Sequence, residues 1–158
     1  MSNITNLLDT SKFDFEIFKS AGKIAASLNY EAYAIGGYVR DAILGAPPSN
    51  EYTDIDITVR GDFMKFSEAL AKELNIKTIV PFEKFKTARL VQENYQIEIA
   101  ETRIESYYKE SRKPLVESAS LEQDLLRRDF TINAIALKIF PKPSLIDPVE
   151  GIKDLSKK

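Results

Sequence analysis

Asp54 and Asp56 stand in a run, Asp54-Ile55-Asp56-Ile57-Thr58-Val59, that alternates strictly between polar and apolar residues. Such alternation predicts a strand with both carboxylates on one side, about 7 Å apart at the backbone. Two like charges on one face repel unless a positive charge sits between them, and paired carboxylates can share two Mg²⁺ ions. Taken alone, the pair is more simply the acidic outer face of an edge strand. Glu98 alternates in the same way within Ile97-Glu98-Ile99. If the two strands are neighbours, three carboxylates converge on one patch. A second cluster is Gly36-Gly37 followed by Arg40. Glycines between a strand and a helix let an anion approach the backbone, and an arginine one turn later supplies full charge. The Rossmann glycine signature and the Walker lysine loop are both missing, so a tight turn with a surface arginine explains this cluster equally well. A third is Arg127-Arg128-Asp129, whose charges at the start of a helix could grip a ribose and phosphates; a solvated helix edge is the simpler alternative.

Composition narrows the chemistry. The 158 residues contain no histidine and no cysteine. That removes disulfides, thiolate nucleophiles, Cys or His zinc sites and Ser-His-Asp triads. Catalysis must then run on carboxylates, Lys, Arg, Tyr, Ser or Thr, and a metal site must be oxygen-rich, which favours Mg²⁺, Mn²⁺ or Ca²⁺. The formal net charge of −2 means that phosphate affinity would have to come from a local patch or another domain. The length fits one domain. Met1 to Thr10 carry no signal-peptide pattern and no run of 18 apolar residues occurs, so a cytoplasmic protein without a membrane segment is expected.

The elements that must hold these residues follow from periodicity. Apolar residues from Ile17 to Leu28 recur at helical spacing, with Ser11 and Asp14 as a capping box for a helix over 11–29. Glu31 to Ile35 reads as a strand, and a helix runs from the glycines to Leu44 with Gly45 as its stop. The acidic strand is followed by an amphipathic helix over 62–74. Three strands are expected at 76–80, 87–91 and 95–100, the last two forming a hairpin about Glu93-Asn94. Arg103 to Ser118 is charged and aperiodic, and is expected to be a loop. Ser120 and Gln123 suggest a capping box opening a helix through Leu126. Helical spacing then resumes across Ile132, Ala136 and Leu137, before a final strand at 144–146. The order predicts an α/β (α+β) domain with a small mixed sheet.

The order of glycine pair with arginine, acidic pair, single acid and Arg-Arg-Asp resembles the head domain of the class II tRNA nucleotidyltransferase and bacterial poly(A) polymerase family. The matching stretches are Ile35-Gly36-Gly37-Tyr38-Val39-Arg40-Asp41, Asp54-Ile55-Asp56-Ile57 and Arg127-Arg128-Asp129-Phe130-Thr131-Ile132-Asn133-Ala134. Asp147-Pro148 with Gly151-Ile152-Lys153-Asp154-Leu155 also looks like that family's exit from the head. The resemblance covers roughly residues 31–155.

It implies a small mixed β-sheet flanked by helices, the nucleotidyltransferase core shared with polymerase-β-like enzymes. By resemblance, Asp54 and Asp56 would hold two Mg²⁺ ions, with Mn²⁺ as a substitute, and Glu98 is a candidate third carboxylate. Gly36, Gly37 and Arg40 would bind the triphosphate. Arg128 and Asp129 match a ribose-contacting motif with Arg127 and Asn133 beside it, and Arg103 matches an arginine opening the family's flexible loop. The implied reaction is template-independent transfer of a nucleotide from CTP or ATP to the 3′-hydroxyl of tRNA, with release of pyrophosphate. Residues 31–158 would be the head, residues 1–30 a helical segment packed on it, and the neck, body and tail of the family would lie outside the chain. The isolated chain is then expected to turn over poorly, because base selection and most of the tRNA grip lie elsewhere. One departure is Lys86-Thr87-Ala88, where the family often has Gly-Thr-Ala. Alternatives are a poly(A) polymerase, a non-catalytic nucleotide-binding module that kept the fold, and an Asp-x-Asp glycosyltransferase, which the Arg-Arg-Asp run does not support.

Overall fold

The computed structural model describes residues 15–45, 53–102, 104–106, 115–117, 121–139 and 143–157. Its centre is a seven-stranded mixed sheet in the order β3-β4-β5-β2-β1-β8-β9. The strands are β1 (Glu31–Ile35), β2 (Thr53–Arg60), β3 (Thr78–Phe82), β4 (Thr87–Val91), β5 (Tyr95–Glu101), β8 (Ala136–Lys138) and β9 (Ser144–Ile146). Among the described strand pairs, only β2–β5 is parallel. The acidic run therefore lies on an interior strand between β1 and β5, which rules out the edge-strand alternative.

The apolar half of each alternation points to one face. Ile55, Ile57 and Val59 of β2 and Ile97 and Ile99 of β5 are buried with α1 (Phe15–Leu28) and α3 (Phe63–Glu73). Each such side chain gains about 1.5–3 kcal/mol from burial, so this face fixes the register of the strands. Asp62 caps α3, its Oδ1 accepting hydrogen bonds from the amides of Met64 and Lys65 at 2.9 Å. The Ser11–Asp14 capping box lies outside the described residues, as does Ser120. The opposite face is covered only in part: Leu125 of α4 (Leu121–Leu126) packs with Tyr33, Ile35, Ala134 and Ala136 over β1 and β8. Among the described residues, this second core does not extend over β2, β5 and β4. Their polar side chains stand there instead.

Three expectations are corrected. The stretch 132–137 is not helical: a 3₁₀ turn at Thr131–Asn133 leads into β8. Ile135, Leu137 and Ile139 join the helix-side core while Ala134 and Ala136 join the other. That is a period of two, and pairing with the free side of β1 outweighs helical preference. The strand expected at 76–80 begins at Thr78, because α3 is closed by a turn in which Asn75 takes a left-handed φ of 55°. The amide of Ile76 then bonds back to Ala71 and its side chain is buried. The segment expected as a loop over 103–118 contains a two-stranded ladder, β6 (Ile104–Ser106) with β7 (Leu115–Glu117). A last helix, α5 (Gly151–Leu155), packs against the 3₁₀ turn at Thr131–Asn133, and no described helix is long and apolar enough to cross a membrane.

Candidate active site

The site lies on the uncovered part of the sheet. The register aligns Ile35, Asp56, Glu98 and Arg89 in one row across β1, β2, β5 and β4. Asp56 is half-buried and Asp54, two residues back on the same strand face, is exposed. Burial pushes the Asp56 carboxyl above the usual carboxylate range, with the neighbouring Glu98 and Asp54 charges adding, while Arg128 and Arg89 oppose. Three acids thus crowd one patch, with oxygen donors only, which is the donor chemistry of a hard divalent cation. Glu98 sits opposite Asp56 in register, but its Oε2 accepts a hydrogen bond from Arg89 at 3.0 Å. Among the described residues, no group of three acids closes on one point tightly enough to cage an ion, so the Asp54/Asp56 pair carries the metal reading.

Gly36 joins β1 to α2 (Gly37–Ile43) with φ 78° and ψ −148°, a conformation that only glycine adopts without strain. A Cβ at this position would stand 3.2 Å from Asp56 Oδ2 and 3.9 Å from Arg128 Nη1. The backbone of the glycine turn therefore lies directly against the carboxylate, with the Arg128 guanidinium nearby. Arg40 bends back over Gly37, its Nη2 3.4 Å from where a Cβ would be. It donates from Nε to Asp41 Oδ1 at 2.8 Å and from Nη1 to Asn133 Oδ1 at 2.9 Å. The Asp41 bond holds the guanidinium firmly cationic.

Arg127, Arg128 and Asp129 follow the end of α4 rather than opening a helix, contrary to expectation. Arg128 turns towards Asp56, and among the described residues its buried Nε has no hydrogen-bond partner. Arg127 pairs with Asp124 at 2.6 Å on an exposed surface, and Asp129 is exposed; neither is drawn into the Asp56 patch. Arg103 lies outside the described residues. The structure thus gathers Asp54, Asp56, Glu98, Gly36 and Arg128 into one patch, and ties Arg40 to Asn133 beside it.

Sequence reasoning missed Asp124, and it named Asp147 and Asp154 as part of a motif without their roles. Asp124 pairs with Arg127 and stands 3.9 Å from Arg128, at the i+3 and i+4 spacing that marks a helical ion pair. Asp147 accepts hydrogen bonds from the amides of Gly151 and Ile152 at 2.7 and 2.9 Å, capping α5. Asp154 accepts a hydrogen bond from Thr131 Oγ1 at 2.7 Å. A Cβ on Gly151 would overlap the Thr131 carbonyl oxygen. The Asp147-to-Leu155 motif therefore seats the turn that presents Asn133 to Arg40.

The family model for the poly A polymerase head domain matches residues 32–158. The chain belongs to this family. Among its relatives, the A-adding tRNA nucleotidyltransferase of Geobacter sulfurreducens is 38% identical over 145 residues, covering 90% of this chain and 16% of that enzyme. The CCA-adding enzyme of Enterococcus faecalis is 35% identical over 144 residues, covering 88% of this chain and 33% of that enzyme. The head domain also resembles a solved tRNA nucleotidyltransferase complexed with a primer tRNA and an incoming ATP analog. The TM-score is 0.71 and the identity 36%, with 87% of this chain and 37% of that one covered. The chain thus spans about a third or less of the length of the curated relatives it matches.

Proposed function

We propose that this chain is the catalytic head of a template-independent nucleotidyltransferase that extends the 3′ end of tRNA from CTP or ATP and releases pyrophosphate. Residues 31–158 would form the head with the segment 1–30 packed on it, working in the cytoplasm. The observation that carries the reading is the Asp54/Asp56 pair on an interior strand, with Asp56 pressed against the Gly36 turn and faced by Arg128. The relatives named for A-adding and CCA-adding activity support tRNA as the acceptor over a poly(A) tail.

In this reading Asp54 and Asp56 hold two Mg²⁺ ions, or Mn²⁺ in their place. Bound there, the metal supplies Lewis-acid activation of the primer 3′-hydroxyl and charge neutralisation at the triphosphate. Gly36 and Gly37 let the triphosphate approach the backbone closely, while Arg40, oriented by Asp41 and Asn133, binds its negative oxygens. Arg128 and Asp129 hold the nucleotide ribose, and Asp124 keeps Arg127 and Arg128 from swinging away. Glu98 adds negative charge beside Asp56.

The test is transfer of labelled CMP or AMP to tRNA lacking its 3′ end by the whole enzyme of which this chain is the proposed head, with wild type, Asp54→Asn and Asp56→Asn compared. Incorporation that disappears in both variants is expected. Incorporation at the wild-type rate in either variant would refute the two-carboxylate mechanism.

A further inference from the structure

Beyond the acid row, the same sheet face runs on to the β3 edge. Val80 lies opposite Arg89, and Phe82 lies opposite Thr87. Phe82 is 37% exposed and Phe85, in the 3₁₀ turn Glu83–Phe85 that follows, is 56% exposed. Exposed phenyl rings on an edge strand cost solubility and invite pairing with other chains. Here each ring carries a cation. Arg89 Cζ stands 5.6 Å from the centroid of Phe82, and Lys84 Nζ stands 5.9 Å from that of Phe85. Aromatic rings flanked by cations at the edge of an open face form the arrangement that holds single-stranded nucleic acid: bases stack on the rings and the cations meet the phosphates. Among the described residues, the buried Nε of Arg89 has no hydrogen-bond partner.

Position selects the occupant. Three strand spacings separate β2 from β3, about 14 Å at the usual ~4.8 Å per strand. At a stacked spacing of ~3.4 Å per nucleotide, that is roughly four nucleotides. We propose that Phe82 and Phe85, with Arg89 and Lys84, form a stacking platform for the unpaired RNA strand behind the reacting 3′-hydroxyl. The inference rests on the transferase reading and deepens it: the head holds the primer strand itself, at a second place on the sheet that also bears Asp56. Pro81, between Val80 and Phe82, blunts the edge against strand addition, which favours bases on the face over a β-strand along the rim.

The test uses fluorescence anisotropy of this chain with a short labelled single-stranded oligoribonucleotide and with the same sequence in a duplex. The variant is Phe82→Leu with Phe85→Leu, which keeps apolar bulk and removes both π-faces. Its melting temperature checks that it folds. The single strand should bind in preference to the duplex and lose at least about tenfold in affinity in the double variant. Lys84→Gln should weaken binding modestly and flatten its salt dependence. Unchanged single-strand affinity at equal melting temperature would overturn the proposal. So would dimerisation that the double variant abolishes, since the edge would then join two copies of the chain. A wild type that binds Mg²⁺-triphosphate but no single strand overturns the platform and leaves the transferase reading standing. A wild type that binds neither removes both.

Discussion

Alanine at Gly36 and alanine at Gly37 should have opposite consequences although the two residues are adjacent. Gly36 adopts φ 78° and ψ −148°, where an L side chain costs about 1–3 kcal/mol. Its new Cβ would also stand 3.2 Å from Asp56 Oδ2, tighter than ordinary contact, with Arg128 Nη1 at 3.9 Å. For a domain of this size 1 kcal/mol shifts Tm by about 2–4 °C, so Gly36→Ala should lower Tm by about 3–10 °C. Gly37 opens α2, and its added Cβ would meet only the movable end of Arg40 at 3.4 Å. Alanine is favoured over glycine in helices by up to about 1 kcal/mol, so Gly37→Ala should leave Tm unchanged or raise it slightly. Thermal unfolding by circular dichroism reads the first difference, and titration with Mg²⁺-ATP reads the second. Gly36→Ala should lose triphosphate binding even at temperatures where it is fully folded, because the displaced carboxylate is Asp56. Equal Tm changes in the two variants, or full triphosphate affinity in Gly36→Ala, would refute the account of this turn.

Asp56→Asn should raise stability at neutral pH. The folded-state pKa of Asp56 lies above its unfolded value through burial and the Glu98 and Asp54 charges, so ionisation disfavours folding as pH rises through that range. Melts at pH 7.5 and about pH 3 should show a gain for the variant at the higher pH and none at the lower, where the carboxyl is protonated in both states. Gly151→Ala should destabilise by about 1–3 kcal/mol, because the new Cβ overlaps the Thr131 carbonyl and backbone cannot yield cheaply; a denaturant titration checks this. Lys86 occupies a left-handed φ of 54°, so Lys86→Gly should gain about 1 kcal/mol in the same titration.

The sequence made the site legible where chemistry and periodicity coincide. The alternation through Asp54 and Asp56 gave the strand and the shared face, and Gly36 marked a positive φ that no other residue type fits. Strands over 31–35 and 87–91 are found at the expected bounds, because positive-φ residues mark their ends, Asn29 and Gly36 around the first and Lys86 before the second. What could not be read was dictated from outside the local window. Ala136-Leu137 becomes a strand because β1 offers an open edge to it, and the alanines that suggested a helix are small because Leu125 packs on their face. The Glu98–Arg89 bond depends on a cross-strand register that no spacing along the chain announces. Asp124 is legible from its i+3 and i+4 arginines, a spacing that ties Arg127 and Arg128 to the helix before them. The role of the 147–155 motif needed the contact between Gly151 and Thr131.

Calorimetric titration of this chain with ATP, CTP, GTP and UTP, with and without Mg²⁺, beside Asp54→Asn, tests the central claim most directly. The account predicts Mg²⁺-dependent binding of all four triphosphates with little discrimination among bases, abolished in Asp54→Asn. Binding that ignores Mg²⁺ or survives Asp54→Asn would contradict it.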